Sequence, residues 1–474
     1  MTRAVRNYLV FLGRCARLAF VGDWRYYTWM GFLSVVCLLG LNAYARQFAQ
    51  GLVVTGMSDE VSWGVYIANF TFLVGVAAAA VMMVIPVYVY NNEELHDLVI
   101  FGELLAVAAI LMCLAFVTVD LGRPDRFWHL IPGLGQFNFP ASMLSWDVIV
   151  LNGYLLLNVY ICGYLLYSRY NGRKPANWFY IPFVFIAIVW AVSIHTVTAF
   201  LYVGLGGRPF WNSAIVGPRF LASAFTAGPA LIILALQVVR HVTGEGGAGG
   251  AGGAHQTGHI AITDKALLTL RGIVQVSMLI NVFLLANEVF KEFYSGNLHV
   301  ASSKYLYLGY HGRHALVPWI WTAIVFNLTA MVLLVLPVSR TLRWLNVTCV
   351  LCIVGIWIEK GMGLVVPGFV PTPLGEIIEY RPSLNETLVC FGIWAFGLLC
   401  YTVFLRMSVP ILQGQLSKAN ERPAGGGNGR LRPPPRQPPV LNEWERPTDP
   451  WCREERPGDD WPSMRFVQDM SNYS

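Results

Sequence analysis

The chain has 474 residues, 55% of them hydrophobic and only 13% charged. A water-soluble domain carries about 25% charged side chains, so composition excludes a string of soluble domains and points to an integral membrane protein. The net charge of +6 is modest, and Lys and Arg gather at the ends of apolar stretches, as topology determinants do, with no nucleic-acid footprint.

The N-terminal segment 1–27 opens with "MTRAVRNYLVFLGRCARLAFVGDWR". It is basic and partly amphipathic, lacks the features of a cleavable signal peptide, and reads as a cytoplasmic segment lying at the membrane interface. Ten stretches follow that can cross a hydrocarbon layer of about 30 Å. They lie near 28–45, 61–90, 97–119, 142–168, 178–204, 217–241, 265–290, 314–337, 342–365 and 386–407. Unpaired backbone groups cannot face lipid, so each is expected to be helical. The second is long enough to tilt or to project beyond the membrane, and Pro86 and Pro229 are expected to kink their helices. A glycine linker at 243–260 falls between spans six and seven. The tail over 411–474 has the Pro-, Gly- and charge-rich composition of a disordered segment. The expected fold is an all-α integral membrane protein with about ten transmembrane helices over 28–410.

Segments assigned to the inside hold fourteen Lys or Arg and those assigned to the outside ten, a bias that puts both termini in the cytoplasm. The outside loops are longer and rich in Arg, Trp, Pro and Gly, as in "DLGRPDRFWHLIPGLGQFNFP". They read as a docking surface for a partner.

Metal chemistry finds little support. Cys349 and Cys352 form a CxxC, but both sit mid-helix with no two further ligands nearby, so neither zinc nor an iron–sulfur cluster is expected. Of nine histidines only His195 lies deep in a span. A di-haem membrane cytochrome needs two pairs, so haem is not expected either.

The buried polar residues carry more information, because each is costly in hydrocarbon. Trp63, Tyr66 and Asn69 are spaced three apart, roughly on one face of span two. Asp147 opens a polar stripe with Tyr154 and Asn158 in span four. His195, Thr198 and Tyr202 step along one face of span five. Arg219 opens span six, Glu288 closes span seven, and Glu359–Lys360 closes span nine. Nearly all of these fall in the outer half, the distribution that a site between helices near the outer surface would produce. His96, Asp97 and Glu103 are the exceptions, at the inner end of span three. His96 and Glu103 share a helical face and could begin a proton path; ordinary interfacial charge is the alternative. Tyr66 and Asn69 could equally serve as helix–helix hydrogen bonds, and Asp147 as an ion-pair partner for Arg123, Arg126 or Arg219.

The stretches "SWGVYIANFTFLVGVAAAAVM" (62–82), "VDLGRPDRFWHL" (119–130) and "GMGLVVPGFVPTPLGEIIEYRPSLNE" (361–386) resemble the NrfD/PsrC family of quinone-interacting membrane subunits. Within it, "GLGGRPFWNSAIVGPRFLASAFTAGPA" and "ALVPWIWTAI" are most similar to the DsrP branch, the membrane subunit of the DsrMKJOP complex of dissimilatory sulfur metabolism. The resemblance covers about residues 20–415. It implies two four-helix bundles, spans two to five and six to nine, flanked by helices one and ten. "ANFTF" (68–72) and "SAFTA" (223–227) open them similarly. It also implies a non-covalent quinone (menaquinone or ubiquinone) in the first bundle near the outer surface, and no haem or iron–sulfur cluster in this chain. The implied partners are a ferredoxin-like 4Fe-4S subunit on the periplasmic side and further cytochrome b-type, cytochrome c-type and Hdr-like subunits, in a bacterial inner membrane.

Quinol oxidation releases two electrons and two protons, so the site needs groups that bond each oxygen and exchange protons. Histidine suits that task. The expectation is a quinone between spans two, four and five. His195 and Tyr66 or Asn69 bind its oxygens, Asp147 orients His195 or relays protons, and Trp63, Thr198 and Tyr202 line the site. Arg123 and Arg126 hold the outer loop against the partner or pair with Asp120 and Asp125. A passive anchor, another NrfD-type complex and a proton-translocating subunit using Glu103 are the competing readings.

Overall fold

The computed structural model describes residues 3–131, 133–242, 262–296 and 300–418. The glycine linker and the tail beyond 418 lie outside the described residues. The regular elements are helices: α1 (Arg3–Ala19), α2 (Trp24–Gln50), α3 (Val65–Ala78), α4 (Val81–Tyr88), α5 (Glu93–His96), α6 (Val99–Asp120), α7 (Met143–Tyr170), α8 (Asn177–Val203), α9 (Val216–Val242), α10 (Asp264–Ser295), α11 (Val300–Tyr307), α12 (Val317–Val335), α13 (Leu342–Lys360), α14 (Met362–Val365) and α15 (Leu384–Leu412). Among the described residues ten spans are long and apolar enough to cross a membrane, with α3–α4 counted as one and α13 extended to Phe369. The protein is a multi-pass membrane protein.

α1 is a surface helix. It buries Phe11 and Cys15 against Tyr170 and Ile411, at the ends of α7 and α15. α2 lies against α15, where Gly40 meets Gly392 so closely that neither has room for a Cβ. Such close approach of small residues holds helices together where no hydrophobic effect can. The other side of α2 presents Phe32, Leu38, Leu39 and Leu41 outward, the surface a lipid-facing helix needs.

α3 and α6 are the most enclosed spans and pack on each other. α6 also contacts α7, α7 contacts α8, and α8 returns to α3. α9, α10, α12 and α13 make a second closed round of contacts, joined to the first through α3, α8 and α9.

Span two differs from its expected form. It begins at Val65, not 61, and the Val65 N–H, one of the orphan donors of a helix start, donates to the Tyr380 hydroxyl (2.9 Å). Burial pushes the Tyr380 hydroxyl up, and the neighbouring Glu386 adds to the shift, so it stays protonated and donates to Glu386 Oε1 (2.7 Å). The span breaks at Ala79–Ala80, well before Pro86. At the break Gly228 of α9 lies against Ala79 with no room for a side chain. α9 runs unbroken through Pro229. Span nine ends its regular helix at Lys360, and residues 363–369 continue as short buried turns. Irregular backbone at membrane depth is tolerated where protein surrounds it. α15 reaches Leu412, and Lys418 N–H bonds Tyr170 O (2.9 Å), so the ordered structure runs past residue 410.

Candidate functional site

The site lies toward the end of the bundle opposite α1. The pairing of α7 and α8 sets it up. Trp190 Nε1 donates to Val150 O (2.8 Å), and Gly153 leaves space for that indole. This fixes an antiparallel register in which the Thr198 hydroxyl reaches Asp147 Oδ1 (3.2 Å). Both residues are buried. One turn before Thr198, His195 is buried with Nδ1 3.1 Å from Ala191 O. A carbonyl only accepts, so Nδ1 carries the hydrogen in the neutral ring and Nε2 offers a lone pair. Nε2 has no partner among the described residues.

Tyr202 continues this face. Its hydroxyl pairs with Thr71 Oγ1 of α3, and Thr71 itself donates to Ile67 O (2.8 Å). Tyr202 is therefore the donor to Thr71. The Tyr202 ring meets Trp63 and Trp211 edge-on, at 5.6 and 5.3 Å between centroids. Trp63 stacks on Trp211 (5.6 Å, 30°), and Phe369 stands edge-on to both. Trp211 Nε1 is tied to Leu364 O (2.9 Å). Trp63 and Phe369, with Arg208, Gly204 and Pro373, line an open recess of about 540 Å³. That volume is in the range of small-molecule sites. The Arg208 guanidinium sits 4.8 Å over the Phe369 ring and donates to Phe369 O (3.3 Å). Tyr202 thus touches Trp63 of the recess wall and bonds Thr71, and Thr71 lines a small cavity together with His195. Aromatic walls suit a flat apolar ring system, and the unpaired His195 nitrogen is suited to accept a proton from it.

Not every expected residue joins this group. Tyr66 and Asn69 share a face, but it is turned elsewhere. Tyr66 OH donates to Gln47 Oε1 of α2 (2.7 Å). Asn69 Oδ1 accepts from Trp357 (3.0 Å) and Trp394 (2.9 Å). Thr71, five residues past Tyr66, is rotated about 140° around the helix and is the residue that faces α8. Trp63 precedes the helix and so is not bound to the face of Tyr66. Tyr66 and Asn69 thus link helices, whereas Trp63 meets Tyr202, and Thr198, one turn before Tyr202 and next to His195 on the same face of α8, bonds Asp147.

The ion-pair alternative for Asp147 is not realised, since it has no ion pair among the described residues. Arg219 instead binds Glu359 (2.8 Å) and Glu288. Lys360 Nζ lies 2.9 Å from Glu359 Oε1, and Asn327 and Asn281 donate to Glu359 Oε2 (2.7 and 3.3 Å). This buried cluster joins α9, α10, α12 and α13. The sequence displays its charges but not that they meet. Arg123 pairs with Asp125 (3.1 Å) at the surface, not with Asp120. Arg126 lies in the same 3₁₀ turn, Pro124–Leu130, whose neighbourhood exposes Phe127, Trp128, Ile131 and Leu134.

At the opposite end, His96 is exposed and lies 3.6 Å from Asp97. The hydrogen bond from His96 and the Arg169 charge hold the Asp97 carboxyl below the usual carboxylate range. Asp97–Leu98 separates α5 from α6, so His96 and Glu103 do not share one helix as expected. Glu103 is buried and accepts from Cys162 Sγ (3.3 Å). Tyr88 packs on His96 and Tyr180, at 6.3 and 6.1 Å between ring centroids, and also lies within the electrostatic reach of Glu103.

No group of three His, Cys, Asp or Glu is placed to hold a metal among the described residues. The sequence profile of the family described as "Polysulphide reductase, NrfD" matches residues 53–370, a stretch that includes His195, Asp147, Arg208, Phe369 and Lys360. The chain belongs to the NrfD family. Among its curated relatives is the Hdr-like menaquinol oxidoreductase integral membrane subunit of Archaeoglobus fulgidus, 23% identical over 400 residues, covering 81% of this chain and 93% of the relative. A putative dimethyl sulfoxide reductase membrane subunit of Halobacterium salinarum is 28% identical over 44% of this chain and 50% of its own length. A polysulfide reductase chain of Wolinella succinogenes is 29% identical over 36% of this chain and 56% of its own length. The matches to these last two NrfD relatives span about half of each. All three relatives are named as parts of oxidoreductases.

Proposed function

We propose that this chain is the membrane subunit through which a multi-subunit redox complex exchanges electrons with the quinone pool. A quinol bound in the recess would supply two electrons and two protons. Trp63 and Phe369 would hold its ring between apolar faces, and Arg208 would mark the polar rim. Tyr202 and Thr71 form the hydrogen-bonded step between recess and interior, and His195 Nε2 is the acceptor behind it. Asp147, bonded to Thr198 on the same helix face, is the second proton-handling group. The observation that carries this reading is the buried His195 nitrogen with no protein partner among the described residues, in a cavity it shares with Thr71, whose hydroxyl accepts from Tyr202 beneath the aromatic recess. The oxidoreductase relatives support it independently.

The finer assignments follow the same reading. The electrons pass to a ferredoxin-like 4Fe-4S subunit on the periplasmic side, docked on the exposed Phe127–Trp128 turn with Arg123 and Arg126. Further subunits complete a complex of dissimilatory sulfur metabolism in the inner membrane, with both termini cytoplasmic. The test is His195→Ala in the assembled complex, assayed for menaquinol-dependent reduction of the partner's clusters. Loss of reduction with normal assembly supports the reading. Unchanged turnover overturns the role of His195.

A further inference from the structure

Between α3, α8, α9 and α13 lies a small cavity among buried side chains, lined by Thr71, Gly75, His195, Ser223 and Lys360 together with apolar residues. The volume open to a water's centre is about 10 Å³, which is room for one molecule. The hydrogen atoms around it can be assigned. His195 gives its Nδ1 hydrogen to Ala191 O, so Nε2 can only accept. Ser223 gives its hydroxyl hydrogen to Phe220 O (2.8 Å), so its oxygen can only accept. Thr71 gives its hydrogen to Ile67 O. The one donor on the wall is Lys360, whose ammonium has three hydrogens and, among the described residues, Glu359 as its ion-pair partner. The cavity is therefore ringed by acceptors on three sides and faced by a cation on the fourth. Two acceptors cannot bond each other; a molecule that donates twice and accepts once bridges His195, Ser223 and Lys360.

We infer that one ordered water occupies this cavity, accepting from Lys360 Nζ and donating to His195 Nε2 and Ser223 Oγ. Three bonds are what a buried water typically makes. The water makes Lys360 a positioning residue for His195. Its hydrogen occupies the Nε2 lone pair and so reinforces the Nδ1–H tautomer that the Ala191 carbonyl selects. It also joins the His195 side of the molecule to the neutral cluster of Arg219, Lys360, Glu288 and Glu359. The groups facing His195 from the packed elements are then Thr71 of α3, Ser223 of α9 and Lys360 of α13, with Asp147 reached through Thr198. The functional meaning of this link rests on His195 being the proton acceptor proposed above; the water itself does not.

The test uses the full-length protein in nanodiscs without quinol, with ¹⁵N-labelled histidine. In the unaltered protein the His195 Nε2 resonance is expected at the position of an unprotonated, hydrogen-bonded nitrogen, and a high-resolution map is expected to show density between Nε2 and Lys360 Nζ. Gly75→Ala is the milder perturbation, since its methyl meets only Ala224 at 3.5 Å and narrows the cavity without a clash. In Gly75→Ala, Ser223→Ala and Lys360→Met the resonance is expected to move to that of a bare imine nitrogen, and the density to disappear. A protonated Nε2, or a resonance unmoved in the properly folded Gly75→Ala and Ser223→Ala variants, overturns the inference. Since no quinol is present, these outcomes are separate from the His195→Ala turnover result.

Discussion

Two polar regions lie side by side in this membrane domain, and they are built on opposite rules. Around α9, α10, α12 and α13, four ionisable side chains neutralise one another, and two asparagines fill the remaining bonds of Glu359. Around α8, His195 and Asp147 are as deeply buried, yet neither has an ion pair among the described residues, and no protein group among them bonds His195 Nε2. In the first region the charges balance, while Arg219 Nε, Asn281 Oδ1 and Asn327 Oδ1 lack a partner among the described residues; removing one member of such a buried pair leaves an uncompensated charge. A buried titratable side chain with no charged partner needs another reason, and a proton-exchanging ligand is one. Depth and residue type alone do not separate the two cases; partners do.

Substitutions can break this contrast. The largest effect is expected from Arg219→Met, which strands Glu288 and Glu359 next to a single lysine. Uncovering a buried ion pair costs about 3–5 kcal/mol, so thermal unfolding in detergent should show a large drop in midpoint, together with poor recovery of folded protein. A near-native midpoint would mean that the cluster is not what joins these helices. His195→Ala should leave the unfolding midpoint close to native, yet lower quinol-dependent turnover by roughly 10²–10⁴-fold, the range for loss of a proton-exchanging group. The reverse pattern, a stability loss with turnover intact, would put His195 in the same structural class as Arg219.

Glu103→Gln sharpens the contrast at the other end of the domain. Glu103 accepts from Cys162 and lies near Tyr88, which packs on exposed His96. If these groups admit protons, the substitution abolishes proton uptake in vesicles without changing scalar quinol oxidation; uptake that survives it removes Glu103 from any such path. The smallest effect is expected from Tyr66→Phe. It deletes only the bond to Gln47, worth about 0.5–1.5 kcal/mol, and turnover should stay unchanged. A large turnover loss there would return Tyr66 to the site.

The spans were legible in the sequence because a run of some twenty apolar residues has few other uses. Their ends fall within a few residues of the helices. The break at Ala79–Ala80 was not legible, since neither glycine nor proline stands there and the close approach of Gly228 from α9 is a tertiary contact. Within the site, His195, Thr198, Tyr202 and Asp147 were legible because helical spacing alone puts the first three on one face and burial makes each costly. Tyr66 and Asn69 have the same signature in sequence, but spacing does not say which neighbour a face meets, and theirs meets α2, α13 and α15. Thr71, Trp211 and Phe369 carry no charge, and although each falls in a stretch that resembles the family, nothing local says that their side chains meet Tyr202 or Trp63. The convergence of Arg219, Glu288, Glu359 and Lys360 depends on four helices packing, information no single segment holds.

The central claim is that quinone binds against the recess of Trp63, Arg208 and Phe369, on the His195 side of α3. A photoreactive menaquinone analogue, irradiated in native membranes and mapped by peptide mass spectrometry, tests it most directly. Labelling concentrated on segments 62–71, 195–211 and 363–373, and competed away by menaquinone, is the predicted result. Labelling on the Gln47–Tyr66 face between α2 and α15, or spread evenly over lipid-facing residues, would contradict it.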